Sequence, residues 1–365
     1  MLAGVRVVEF EGLGPGPFCG MLLADLGADV IVVHRPGASD LPGMSGENLL
    51  DRGKRSIVLD LKDAADRATA LDLIASADAL IEGNRPGVME RLGLGPVEAM
   101  ARKPSLVYGR MTGWGQTGPL APVAGHDLNY IARSGALWYA SHPGDAPLTP
   151  PTLVGDIGGG AMYLAVGLLA GILNARATGK GTVVDAAIVD GSAHMMALVM
   201  AIRGQGGFVT ERGGSLLDGP HWSRSYRCAC GGHVAVQALE PKFYVLLLAG
   251  LGLGDDPAFR DHQFDRASWP GLTARLAAIF ATQPRDHWAA RFAGSDACLA
   301  PVLSPDESAA DPHMAARGTW AGHAPAPAPR FDGAARTPGP VPARGAQSAE
   351  IRAELARRRT DGQLS

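Results

Sequence analysis

The sequence predicts an α/β protein: a parallel sheet covered by helices in the first half, then a smaller α+β domain. Two patterns carry this. Short apolar runs alternate with helical stretches from residue 5 to residue 110. A hairpin pattern followed by helices then fills residues 225–282. A strand buried on both faces reads as a continuous apolar run, and alternation of such strands with helices implies a parallel sheet.

The first strand is expected at 5–10, followed by the Gly- and Pro-rich turn 12–17, a helix at 18–26 and a second strand at 29–33. Further strands are expected at 57–61, 79–82 and 106–110, with helices at 64–74 and 96–101 between them. Residues 159–175 read as a long apolar helix ended by Gly179-Lys180-Gly181, and 183–189 as another strand. A Met-rich helical stretch covers 194–203, and the Gly-rich passage 204–219 reads as a loop or linker. Segments 225–228 and 233–238 pair as a hairpin through Gly231-Gly232, with helices at 242–249 and 269–282. A Pro-Ala linker at 324–329 and a charged helix at 349–359 close the chain.

Composition narrows the function. The chain has 365 residues, 46% hydrophobic and 19% charged, with a net charge of −3. Near-neutral charge argues against a nucleic-acid scaffold or a polybasic membrane binder. Residues 157–173 are long enough to suggest a membrane span, but five glycines favour a closely packed internal helix. Cys19, Cys228, Cys230 and Cys298 form no disulfide framework, and with no signal-peptide pattern a cytoplasmic location is expected. Cys228, Cys230 and His233 lack the second pair a zinc site needs, so no metal is expected.

The first strand-turn-helix invites a dinucleotide. However, Gly12-Leu13-Gly14-Pro15-Gly16-Pro17 does not match G-x-G-x-x-G, and its prolines remove amide donors. The second strand ends in His34-Arg35-Pro36, where an acid for the ribose is usual. Arg35, Arg52, Lys54, Arg55, Arg85 and Arg91 fall at strand C-terminal ends or in the loops after them. Ligands of parallel sheets bind on that side, and arginine clusters suit phosphates. Each alone is most often a solvated surface charge.

No G-x-S-x-G elbow or H-E-x-x-H motif is present. Three titratable residues stand out. His126 and Asp127 follow Gly125, Asp156 precedes Gly158-Gly159-Gly160, and Glu240 ends an apolar strand before Pro241. A Gly-rich turn opening a helix presents amides and a positive dipole end to an anion. A helix cap for Asp156, a structural histidine for His126 and a surface acid for Glu240 are the alternatives.

Several motifs together resemble the α-methylacyl-CoA racemase family, within the class III CoA-transferase superfamily. They are Gly12 to Phe18, Ala24-Asp25-Leu26-Gly27-Ala28-Asp29-Val30, His34-Arg35-Pro36-Gly37, Gly53-Lys54-Arg55-Ser56 and Leu59-Asp60-Leu61-Lys62. Arg85-Pro86-Gly87-Val88, Met111 to Gln116, Gly125 to Tyr130 and Gly155-Asp156 continue the likeness. The resemblance implies a Rossmann-like large domain over 1–190, completed by the tail 330–365. Linkers at 191–222 and 311–330 would flank a small α+β domain at 223–310, in an interlocked homodimer. It also implies His126 and Asp156 as catalytic residues, with Glu240 supporting the histidine. Coenzyme A would be held by Arg35, Leu59, Asp60, Leu61, Lys62, Asn84, Arg85, Arg91, Gly125, Asp127, Leu128, Asn129 and Tyr130.

These roles imply exchange of the C2 proton of a 2-methylacyl-CoA thioester by two opposed bases, through an enolate. The amide of Asp156 and its glycine turn are expected to face the enolate oxygen. No cofactor beyond the substrate's own coenzyme A is required. The alternative is CoA transfer between carboxylic acids, with Asp156 as nucleophile. Met195, Met196 and Met200 offer either an adaptable acyl floor or plain core packing.

Overall fold

The computed structural model describes residues 1–37 and 47–363; the last two residues of the expected tail lie outside them. The chain opens with β1 (Arg6–Phe10), α1 (Pro15–Asp25), β2 (Asp29–His34), β3 (Arg55–Val58), α2 (Ala64–Ala75) and β4 (Ala79–Glu82). Then come α3 (Val88–Arg91), α4 (Pro96–Arg102), β5 (Val107–Thr112) and α5 (Asp127–Ser134). A π-helix (Leu153–Ala161) runs directly into α6 (Met162–Thr178), followed by β6 (Thr182–Ala187) and α7 (Ile188–Met195). The six strands are all parallel, in the order β3-β2-β1-β4-β5-β6.

The chain divides into two units. The first comprises Met1–Leu137, Thr149–Met195 and His313–Ser365. Its sheet separates two cores. On one side Val7, Leu23, Ile81, Leu164 and Leu168 pack together; on the other, Val8, Ile31, Leu73, Leu80 and Tyr108 do. Alternate residues of one strand thus enter opposite cores, as the pleat requires.

The second unit comprises Trp138–Leu148 and Met196–Pro312. It contains α8 (Ala197–Gly204), β7 (Ser223–Arg227), β8 (His233–Gln237), α9 (Pro241–Leu251), α10 (Pro257–Arg260), α11 (Trp269–Phe280), α12 (Arg285–Arg291), β9 (Leu299–Pro301) and α13 (Pro305–Ala310). Strands β7, β8 and β9 form an antiparallel sheet over Trp222, Tyr226, Val236, Leu247 and Phe280. After α14 (Pro312–Arg317), the tail of the first unit adds a short hairpin, β10 (Trp320–Ala321) with β11 (Ala324–Pro325), and ends in α15 (Ser348–Thr360).

Several bounds differ from the sequence expectation, each for a physical reason. The turn at 12–17 is partly helix, because Pro15 occupies the first helical position, where its missing N–H costs nothing. The strand expected at 57–61 is β3, shifted to start at Arg55. That charge is accepted because Arg55 pairs with Asp29 at 2.7 Å and Glu354 at 3.0 Å. The passage expected to link at 191–222 carries the end of α7 and all of α8. The stretch 153–178 is long and apolar enough to cross a membrane. Its Leu164, Leu168 and Ile172 lie in the sheet core, while Met162, Val166 and Leu173 are exposed on the single chain.

Beneath β1 lies a buried ion pair. Lys54 Nζ is 2.6 Å from Glu9 Oε2, with both side chains essentially inaccessible. Burial pushes the Glu9 carboxyl up to about 7, with Lys54 opposing. Lys54→Met strands the acid in the interior and should cost about 3–5 kcal/mol of stability. Lys54→Met with Glu9→Gln should recover much of that loss. Urea unfolding of both variants measures the difference; equal destabilisation would contradict the pairing.

Candidate active site

The sheet order changes direction at β1, which lies between β2 and β4. Open α/β sheets bind ligands beyond the strand C-termini at such a switch. A cavity of about 420 Å³ lies there, lined by Phe10 and Glu11 after β1 and by Val33, Arg35 and Pro36 around the end of β2. Leu59 to Lys62 and Asn84, Val88, Arg91 and Leu92 complete the lining. Seven residues singled out from the sequence, Arg35, Leu59, Asp60, Leu61, Lys62, Asn84 and Arg91, therefore share one wall. Arg35, Lys62 and Arg91 are exposed cations, suited to an anionic ligand.

The loop carrying Asn84 and Arg91 is held by charges that pattern reading missed. Asn84 donates its N–H to Glu82 Oε2 at 2.7 Å. Arg110 donates to Glu82 Oε1 at 3.0 Å and to Glu90 Oε1 at 2.8 Å. The available signal was the pairing of an acid and a base at facing positions of two apolar strands, Glu82 on β4 and Arg110 on β5.

A second group of residues gathers where α5 meets the π-helix. His126 is the N-cap of α5 and is exposed. Its backbone N–H donates to Asn129 Oδ1 at 3.0 Å, which fixes the entry into the helix. Asp127, buried in the first turn, accepts the backbone N–H of Asp156 at 2.9 Å. Tyr130 is buried, donates its hydroxyl to the Gly125 carbonyl and meets Trp114 edge-on at 4.7 Å. The motifs Met111 to Gln116 and Gly125 to Tyr130 thus build one floor under the histidine.

Asp156 lies within the π-helix, and the turn expected before a helix at 159 is absent. The glycines around it serve close approach. A side chain at Gly155 would collide with Asp127, and one at Gly159 with Ser192 of α7. Thr152, which starts the π-helix, has φ of 62°, a conformation costly for a branched residue. Short π-helical segments within α-helices are frequent at functional sites. Gly14, with φ of 65°, brings the loop after β1 against Asp156: a Cβ there would lie 3.4 Å from its Oδ2.

Burial and the negative charge of Asp127 push the Asp156 carboxyl up to about 6, while His126 pulls it down. This shows His126, Asp127 and Asp156 to be electrostatic neighbours. Arg85 is exposed and acts on Tyr130, and it does not line the cavity. Leu128 and Asn129 lie on the exposed side of α5. The amide of Asp156, expected to face an enolate oxygen, is instead committed to Asp127. Glu240 caps α9 in the second unit and is exposed. No group of three or more potential metal ligands exists among the described residues.

The sequence pattern of CoA-transferase family III matches residues 2–348. The chain belongs to this family. It is 40% identical over 322 residues to the α-methylacyl-CoA racemase of Mus musculus, covering 88% of this chain and 82% of that one. The Homo sapiens α-methylacyl-CoA racemase is also 40% identical, over 321 residues, covering 87% and 82%. Acetyl-CoA:oxalate CoA-transferase of Acetobacter aceti is 31% identical, covering 86% and 84%. Among solved structures, a CaiB/BaiF family protein from Brucella suis superposes with a TM-score of 0.79 at 26% identity, over 97% of this chain and 98% of that one.

The electrostatics of the centre generate a direct expectation. Followed by carboxyl-carbon NMR, Asp156 should titrate near 6. Asp127→Asn removes the neighbouring charge but keeps an acceptor for the Asp156 amide. The Asp156 midpoint should then fall towards the ordinary carboxylate range. An unchanged midpoint would show that Asp127 does not act on Asp156.

Proposed function

We propose that this enzyme is an isomerase that epimerises C2 of 2-methylacyl-CoA thioesters by proton transfer between two bases. The observation carrying this reading is the hydrogen bond from the Asp156 amide to Asp127, the residue next to His126, in a family member most alike, among the relatives above, to racemases. The wider family and its racemase relatives support an enzyme of acyl-CoA chemistry, either epimerisation or CoA transfer.

In the proposed reaction one base takes the C2 proton and the electron pair of the C–H bond passes into the thioester. The resulting enolate is reprotonated on the opposite face by the other group. A carboxyl near 6 suits Asp156 for both directions: ionised as acceptor above that pH, and acidic enough to return the proton. Asp127 ties Asp156 to the helix that carries His126, so the two bases are held as a pair. The N-terminus of α5 adds a positive dipole end beside the developing charge. Glu240 is assigned to orient the imidazole. No metal or redox cofactor enters these steps.

Coenzyme A is assigned to the cavity at the switch point, with Arg35 and Arg91 as its phosphate contacts and Arg85 nearer the reacting end. An interlocked homodimer belongs to the same proposal. The exposed apolar side of α6, with Met162, Val166 and Leu173, is surface that a partner chain would cover. Four free cysteines suit a reducing compartment such as the cytoplasm.

In D₂O, either epimer of a 2-methylacyl-CoA should gain deuterium at C2 while moving towards an equal mixture. Asp156→Asn and His126→Ala should each slow inversion by about 10²–10⁴-fold, and Glu240→Gln less. Transfer of CoA to an added carboxylate without C2 exchange, through a trappable Asp156 adduct, would replace this reading with the transferase one. Arg35→Ala and Arg91→Ala should raise KM for acyl-CoA more than they lower kcat, as loss of ground-state binding does. An unchanged KM in both would place the coenzyme elsewhere.

A further inference from the structure

The C-terminal tail returns to the first unit and places one arginine behind the coenzyme cavity. Arg344 NH1 donates to Glu11 Oε1 at 2.6 Å and NH2 to Glu11 Oε2 at 3.2 Å, a two-pronged pair. NH2 also donates to the Arg35 carbonyl at 2.6 Å, and NH1 lies 2.9 Å from His34 Nδ1. From the other side, Arg35 donates its backbone N–H to Glu11 Oε2 at 2.9 Å. Both peptide groups flanking Arg35 are therefore fixed by one Glu11–Arg344 unit. The Arg35 side chain itself is 70% exposed and makes only a long 3.9 Å approach to Glu11.

The arrangement is selective in what it fixes. Glu11 and Arg35 line the cavity, whereas Arg344 does not. Burial tends to raise the Glu11 carboxyl, but bonds from His34, Arg344 and the Arg35 amide hold it well below the usual range. The acid is thus kept as an anion that grips Arg344 and the backbone. Without Arg344, Glu11 would keep His34 at 3.4 Å and the Arg35 amide but lose its two-pronged partner, and could then close on the Arg35 guanidinium it already approaches. A coenzyme phosphate would then compete with an internal carboxylate.

We propose that Arg344 is a positioning residue for the acyl-CoA site: it occupies Glu11 and clamps the Arg35 backbone, leaving the Arg35 guanidinium available for a phosphate. This rests on the assignment of coenzyme A to the cavity. It makes the tail a working part of the site. The tail does not depend on Arg344 for its attachment. Gly53 donates to the Pro340 carbonyl at 2.8 Å, Ser56 to Gln347 Oε1 at 2.8 Å, and Arg55 pairs with Glu354 at 3.0 Å.

The test is a double-mutant cycle on CoA binding by calorimetry, with wild type, Arg35→Ala, Arg344→Ala and the double variant. Arg344→Ala should weaken CoA binding about tenfold, as loss of a charge-assisted contact does. In the Arg35→Ala background the same change should have little further effect, because Arg344 acts through Arg35. A residue that merely holds the fold would weaken binding equally in both backgrounds, and that result overturns the proposal. So does Arg344→Ala binding CoA like the wild type while Arg35→Ala binds weakly. If Arg35→Ala itself has no effect, the cavity assignment fails and the clamp fails with it. Should Arg344→Ala not fold, Arg344→Gln removes the guanidinium while keeping much of the side chain's length and leaves Glu11 intact, and serves the same comparison.

Discussion

The bond from the Asp156 amide to the Asp127 carboxylate is the constraint on which the proposed catalytic centre depends. Asp127 follows His126 at the start of α5, and Asp156 lies within the π-helix. One acceptor oxygen therefore joins the two elements that carry His126 and Asp156. It also carries the charge that, with burial, brings Asp156 up to about 6. Position and basicity are set by the same side chain. The π-turn has a consistent role: five residues per hydrogen-bonded loop displace Asp156 from the register of α6, and Gly155 leaves room for Asp127 to reach it.

The loop after β1 connects this centre to the cavity at the switch point. Glu11 lines the cavity, and Gly14 lies against the Asp156 carboxylate. Three residues of chain span at most about 11 Å. A coenzyme seated at the switch point, as proposed, would need only its flexible arm to bring a thioester to His126 and Asp156. Pro15 and Pro17, which withhold amides from a dinucleotide pyrophosphate, still let α1 begin immediately after that loop. In the proposed site, phosphate recognition is assigned instead to side chains at the ends of β2, β3 and β4.

Much of this was legible in the sequence, and the exceptions have causes. Continuous apolar runs marked the strands because a parallel sheet buries both faces. The glycines around Asp156 were visible, but their purpose was not. A π-turn arises from α7 and Asp127 pressing on the segment, which is tertiary information. The Asp156 amide was accordingly assigned to an enolate oxygen when it serves Asp127. The tail looked like a weakly patterned charged helix. Its partners, Arg55, Asp66 and Asp72, lie nearly three hundred residues earlier, and no local pattern shows them. Arg344 was hidden in the same way, in a Pro-rich strip whose role emerges only beside Glu11. Of the cations placed at strand ends by the sequence, Arg35 and Arg91 line the cavity, whereas Arg52, Lys54 and Arg55 are taken up by Asp25, Glu9 and Asp29; Leu59 to Lys62 and Asn84, which also line it, were named by the family resemblance.

The central claim is that His126 and Asp156 address opposite faces of the same carbon. Face-resolved exchange in the single-base variants tests it most directly. With one base removed, the other still abstracts a proton from its own face, exchanges it with solvent and returns a deuteron without inversion. His126→Ala should therefore incorporate deuterium into one epimer of a 2-methylacyl-CoA with retention, and Asp156→Asn into the other. Both variants exchanging the same epimer, or both epimers equally, would contradict a centre built from two opposed bases.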